Sequence, residues 1–223
     1  MILTIDNLLS PEQLSQLNDL LREVDFLDGR KTAGWHAKLV KANEQSDSKD
    51  PKTTQARQLL VAALGANATF NLAVMPHSLR PILFSRYREG MAYGAHIDDA
   101  IMGRTALARS DVSLTVFLNP PEDYDGGELI MELGGESLSY KLAAGSAVIY
   151  PSTTLHRVAE VTRGQREVAV TWAQSIVRSA EQREILFDIE KVRRTIFKEK
   201  GKCREFDLLS KSHANLMRLW SDV

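Results

Sequence analysis

The run Val112-Ser113-Leu114-Thr115-Val116-Phe117-Leu118 is built of β-branched, aromatic and small polar side chains and stops against Asn119-Pro120-Pro121. A two-residue period closed by turn formers is a strand signal, not a helical one. Working outward, the texture repeats. Across residues 70–177, short β-branched and aromatic runs are separated by clusters of Gly, Pro, Asp and Asn. The candidate strands are 71–75, 82–87, 93–98, 112–118, 128–132, 137–141, 147–150, 155–161 and 168–177. No helical pattern intervenes, so a jelly roll fits better than a βαβ sheet.

On either side the period changes. Ser10, Pro11 and Gln13 form an N-cap, a first helical position and a capping box after a short opening strand. Leu14, Leu17, Leu21 and Val24 then recur at helical spacing. Residues 41–52 carry no large apolar side chain and read as an exposed loop. A second helix is expected from Thr53 or Thr54, ending at Gly65, with Leu59, Leu60, Ala63 and Leu64 inward. Beyond Arg178, Ile185, Leu186, Ile189, Val192 and Ile196 form one helical stripe, and Phe206, Leu209, Leu216, Leu219 and Trp220 another. Both suit a helical hairpin packed on the β-core or on a second copy of the chain.

With 223 residues, 43% hydrophobic and 26% charged, the chain can bury a sizeable core. A net charge of −1 gives no nucleic-acid footprint. The basic residues of 191–202 are interleaved with Glu199 and preceded by Glu190, as on a solvated helix face. The lone Cys203 excludes an internal disulfide and a cysteine-based zinc site. The opening Met1-Ile2-Leu3-Thr4-Ile5-Asp6 is not a signal peptide, and no apolar run reaches membrane-span length. A soluble, cytoplasmic protein is expected.

Five histidines are present. Gly94-Ala95-His96-Ile97-Asp98 sets His96 and Asp98 at i and i+2, on one face of a strand. Alone, the pair reads more readily as a strand-end hydrogen bond. His156 lies on a later strand, and two imidazoles with one carboxylate form the facial set that leaves open positions on iron(II). Arg166 follows across Thr162-Arg163-Gly164-Gln165, read as a hairpin turn that returns the chain beside His156. A guanidinium there can clamp a carboxylate by paired hydrogen bonds. Zinc or manganese in the same triad, as in a cupin-like isomerase or hydrolase, stays open at this level. So does a non-catalytic module binding a small carboxylate or sugar. His36, His77 and His213 read as surface or turn residues, and residues 99–110 as a segment that could cover the site.

Four ordered motifs carry a resemblance. Arg86-Tyr87-Arg88-Glu89-Gly90-Met91-Ala92-Tyr93-Gly94-Ala95-His96-Ile97-Asp98 resembles the metal-binding segment of the prolyl-4-hydroxylase type of iron(II)/2-oxoglutarate dioxygenases. Ser113 to Asn119 with Gly126-Gly127-Glu128-Leu129 resembles that family's central strand pair. Gly145-Ser146-Ala147-Val148-Ile149-Tyr150-Pro151 through His156-Arg157-Val158, then Gly164-Gln165-Arg166 and Trp172, resembles its closing strands. The whole chain is similar to the bacterial PKHD-type hydroxylases.

The resemblance implies a mainly β protein with flanking helices (α+β), with a double-stranded β-helix core. The dioxygenase domain would span 1–178, its N-terminal helices lying in 10–65 and its β-core in 70–178, and 179–223 would be a C-terminal helical appendage. It implies iron(II) on His96, Asp98 and His156, with the distal carboxylate of 2-oxoglutarate on Arg166. Tyr87 is a second contact or a rim aromatic. Some relatives place a tyrosine where this chain has Phe117, which removes one hydroxyl donor. The implied reaction is hydroxylation of a small-molecule or peptidyl substrate, consuming O2 and 2-oxoglutarate and releasing succinate and CO2. Ascorbate would rescue oxidised iron. The C-terminal stripes are a candidate homo-oligomer interface.

Overall fold

Strand β9 (Val112–Phe117) contains the run quoted first, and all six of its residues are buried. A half-buried strand would expose alternate residues; this one is covered on both faces. It lies inside a nine-stranded antiparallel sheet. The order is β1 (Leu3–Ile5), β13 (Ala147–Pro151), β9, β15 (Val161–Ser175), β5 (Leu83–Arg88), β3 (Glu44–Ser46) and β2 (Phe26–Asp28). Strands β4 (Pro76–Leu79) and β10 (Tyr124–Gly126) also pair with β15. A four-stranded sheet packs against it, ordered β12 (Glu136–Tyr140), β11 (Leu129–Leu133), β14 (Leu155–Val158) and β6 (Tyr93–His96). A short hairpin, β7 (Ile101–Met102) with β8 (Ala108–Arg109), stands apart. The computed structural model describes residues 1–103 and 105–222. Arg104, in the segment expected to cover the site, and Val223, in the expected appendage, lie outside the described residues.

Side-chain alternation sorts the large sheet into two faces. Leu114, Val116, Ile149, Phe84 and Ala169 face outward, onto a core shared with Leu17, Leu60, Leu64 and Phe70. Those residues come from α1 (Pro11–Arg22), α2 (Pro51–Ala66) and α3 (Ala68–Val74). Tyr87, Phe117, Val148, Tyr150 and Val168 face inward, onto Leu129, Met131 and Val158 of the small sheet. The result is helices, large sheet and small sheet in layers, a jelly roll with its mouth between the sheets.

The N-terminal capping box forms as expected: Ser10 Oγ accepts from Gln13 N at 3.2 Å, and Ser10 N donates to Gln13 Oε1 at 2.9 Å. Three expectations fail. Residues 71–74 belong to α3 and Met75 is its left-handed C-cap, so no strand forms there: Asn67 Oδ1 accepts from Phe70 N at 2.9 Å, and Phe70, Ala73 and Val74 are buried at helical spacing. Helix α2 starts at Pro51 on an Asp50 cap and runs through Gly65 to Ala66. Residues 41–52 are no exposed loop, since Lys41, Asn43, Gln45 and Ser46 are buried.

The C-terminal hairpin, α4 (Ala180–Lys200) and α5 (Arg204–Trp220), is present, but its buried face is shifted. Arg183, Leu186, Phe187 and Glu190 point inward on α4, while Ile185 and Val192 are about half exposed. The two buried charges explain the shift. Arg183 donates to the carbonyls of Val177 and Arg178 at 2.8 Å, and Glu190 accepts from Arg193 and Arg194. No residue of α5 is buried.

Candidate active site

The mouth of the sandwich opens into a cavity of about 440 Å³. His96 ends β6 and His156 sits on β14, directly opposite each other in the antiparallel register, with ring centroids 4.3 Å apart. Asp98 lies just past the end of β6, not within the strand as expected. The three nevertheless offer donor atoms that all lie within 4.8 Å of one another.

Hydrogen bonds fix how each group is presented. His96 Nδ1 lies 2.8 Å from the Gly94 carbonyl and His156 Nδ1 2.9 Å from that of Thr154. A carbonyl only accepts, so each Nδ1 carries the proton and each Nε2 lone pair is free for a cation. Burial, then the neighbouring His156, pushes His96 down to about 4, keeping it neutral. Ser113 Oγ donates to Asp98 Oδ2 at 2.6 Å and shares a 2.8 Å contact with Ser152 Oγ. One buried hydroxyl thus holds the carboxylate, and Ser152 donates to that hydroxyl in turn. Tyr93 stacks on the His96 ring at 3.6 Å between centroids.

Arg166 reaches the cavity by a different route from the one expected. Residues 162–165 make no hairpin turn. They belong to β15, which pairs with β5, β9, β10 and β4 in the large sheet, while His156 is in the small one. The chain changes sheets between His156 and Arg166, as jelly-roll strands do. Gly164 makes this continuous strand feasible: its φ is 75°, and a Cβ there would lie 2.1 Å from the Asp123 carbonyl oxygen.

Arg166 is 1% exposed, and its Nε has no hydrogen-bond partner among the described residues. Tyr87 is its register partner on β5, with the guanidinium 5.1 Å from the ring centre and 5.6 Å from that of Phe117. A buried cation flanked by aromatic side chains, with no carboxylate in salt-bridge reach among the described residues, lacks an anion. The arrangement fits a divalent metal and a dicarboxylate: two imidazole Nε2 atoms and a carboxylate at one place, a buried guanidinium with an unpartnered Nε at another.

Residues 82–174 match the family described as the 2OG-Fe(II) oxygenase superfamily. A PKHD-type hydroxylase of Acaryochloris marina is 54% identical over 222 residues, covering 100% of both chains. The chain belongs to the PKHD-type hydroxylases. A second member, from Crocosphaera subtropica, is likewise 54% identical over 100% of both chains. PKHD-type hydroxylases of this superfamily are iron(II)- and 2-oxoglutarate-dependent oxygenases, and this chain is one of them, its substrate unidentified. Solved structures share the fold. The prolyl-4-hydroxylase of Pseudomonas putida is 19% identical, with a TM-score of 0.52 over 78% of this chain and 92% of that one. A prolyl hydroxylase of Trichoplax adhaerens, solved with a hypoxia-inducible-factor peptide fragment, is 15% identical, with a TM-score of 0.53 over 83% and 86%.

This PKHD-type hydroxylase also has cavity residues that its sequence did not single out. Lys41, Asn43 and Gln45 line one wall at strand spacing. Their segment bridges the sheets: β3 pairs with β5, while Lys41 forms a bridge to Tyr93 next to the small sheet's edge. Strict i, i+2 spacing was the available signal, but polar side chains facing a polar cavity look like a loop. Tyr150 lines the cavity too, and burial, then Asp98, holds its hydroxyl well above its usual range, in the protonated form. Ile101 and Met102 of β7 border the mouth, as does Gly34.

Proposed function

We propose that His96 Nε2, Asp98 and His156 Nε2 hold iron(II), that Arg166 binds the distal carboxylate of 2-oxoglutarate, and that Tyr87 is its second contact. The observation that carries the reading is the buried donor set within 4.8 Å, with both Nδ1 atoms already committed. Arg166, buried and unmatched, supplies the charge a dicarboxylate needs.

The chemistry that bound iron(II) and 2-oxoglutarate supply is O2-dependent hydroxylation of a C–H bond, with release of succinate and CO2. The chain's own residues bind, orient and exclude water. Ser113, itself held by Ser152, fixes the Asp98 carboxylate. Gly94 and Thr154 fix the imidazole tautomers. Tyr87, Phe117 and Val168 wall off the guanidinium from solvent. Ascorbate serves to return oxidised iron to the ferrous state. The substrate is a small molecule or a peptidyl residue; the Trichoplax neighbour's peptide fragment supports the second, and the cavity size the first.

Residues 1–178 form the oxygenase domain and 179–223 an appendage that carries a self-association surface, which the exposed Val192, Phe197, Leu208 and Leu219 support. Among the described residues no helix is long and apolar enough to cross a membrane. A cytoplasmic location is supported by the single free thiol, Cys203.

The test is anaerobic titration with iron(II) and then 2-oxoglutarate. A weak visible charge-transfer band is expected only when both are present. Arg166→Ala should weaken cosubstrate binding on the order of 100-fold while leaving iron binding in place. No band with wild-type protein would overturn the reading.

A further inference from the structure

Lys41 is a buried cation without an anion. It is 7% exposed and lines the cavity. Its ammonium is not loose: Lys41 Nζ donates to Thr32 Oγ1 at 3.0 Å, Thr32 Oγ1 donates to Gln45 Oε1 at 2.6 Å, and Gln45 Nε2 donates to Ser85 Oγ at 3.2 Å. The Tyr93 ring centre lies 5.1 Å from the ammonium. One N–H of the ammonium is thereby used, and its other two have no carboxylate among the described residues within salt-bridge reach. Burial drives the ammonium down to about 8, with Asp98 and then Asp28 opposing the shift from a distance.

Each nearby carboxylate is committed elsewhere. Asp28 is paired with Arg30 at 2.6 Å, and Glu44 with Arg86 and Arg88. Asp98 belongs to the metal triad. Asp99, at the mouth, is exposed and screened by water. Once iron(II) and dianionic 2-oxoglutarate are in place beside Asp98 and Arg166, the Lys41 charge is the one left uncompensated. A protein rarely leaves a buried charge without an anion unless a ligand supplies one.

Resting on the reading that iron and 2-oxoglutarate occupy the triad and Arg166, we infer that Lys41 recognises a carboxylate on the substrate, which is a small organic acid. The cavity favours a small molecule over an acidic protein segment: about 440 Å³ is toward the low end for ligand sites, and the cosubstrate shares it. Lys41 is then a specificity residue, selecting the acid and rejecting its neutral analogues.

The test uses full-length protein loaded with manganese(II), a redox-silent stand-in for iron, and 2-oxoglutarate. The probes are straight-chain monocarboxylates from acetate to hexanoate and the matching primary amides, their binding read from proton relaxation enhanced by the manganese. At least one acid should bind wild-type protein roughly tenfold more tightly than its amide. Lys41→Met should lose that preference and Lys41→Arg keep it. Lys41→Met should also keep 2-oxoglutarate affinity and a melting temperature no lower than wild type, since it removes an unpaired buried charge.

No acid preference in wild-type protein, or one that survives in Lys41→Met, would overturn the inference. A loss of 2-oxoglutarate affinity in Lys41→Met would also overturn it, by reassigning the ammonium to the cosubstrate. The iron and 2-oxoglutarate charge-transfer band, measured on the same proteins, separates these outcomes from failure of the underlying reading. If the band forms and the acid preference does not, only Lys41's role is wrong.

Discussion

At the scale of single residues, the site is an arrangement of groups prevented from doing anything else. Each triad histidine spends its Nδ1 proton on a carbonyl two residues back, and Asp98 is steered by a hydroxyl from another strand. Ser113→Ala removes that steering without touching a ligand atom. Iron(II) affinity should fall roughly 10- to 100-fold, measured by anaerobic titration, with the fold retained. Unchanged affinity would mean that Asp98 needs no orienting donor. The triad residue types and Arg166 are legible from sequence because ligation chemistry restricts them to few candidates. Lys41, Asn43 and Ser113 are not, because a lysine, an asparagine and a serine are ordinary surface residues until the fold buries them.

At the scale of elements, two glycines make opposite predictions. Gly164 sits at positive φ inside β15, its missing Cβ replaced by the Asp123 carbonyl. Gly164→Ala should destabilise by about 2 kcal/mol or more. Gly65 lies inside α2 with open space around it, so Gly65→Ala should stabilise by roughly 0.5–1 kcal/mol. Denaturant unfolding checks both. Were Gly65 the helix stop that its position in the sequence suggests, the second sign would reverse.

The same pair shows where local reading gives out. Glycine says that the backbone is special or that it is merely cheap, and only tertiary contacts distinguish the two. Strands with β-branched residues, such as β9 and β13, and helix α1 with its capping box were legible because local propensity and burial agree there. Strand β3 was not, since its Glu-Gln-Ser composition is stabilised by pairing with β5 and β2. The turn expected at 162–165 failed for the same reason: a positive-φ glycine inside a long strand has a hairpin's composition.

At the scale of the whole molecule, the cavity draws on both sheets. The imidazoles come from the small one, and Arg166, Tyr87 and the hydroxyl on Asp98 from the large one. Filling the site should therefore stabilise the whole β-core. With manganese(II) and 2-oxoglutarate each near 100 times its Kd, unfolding should become harder by about 2.7 kcal/mol per independently bound ligand. Thermal melts with and without chelator read this directly. A melting temperature indifferent to both would show that neither binds the native state.

The hydrogen bond from Ser113 to Asp98 has a wider consequence. It crosses from one layer of the sandwich to the segment that carries Asp98, so an ion bound as proposed would act as a rivet through both layers. Without the rivet the layers can part at the mouth more often, and each parting offers a protease an extended strand. On the proposed ligation, the chain's lifetime in a cell should track the supply of metal, with iron scarcity felt first as a fall in the amount of protein.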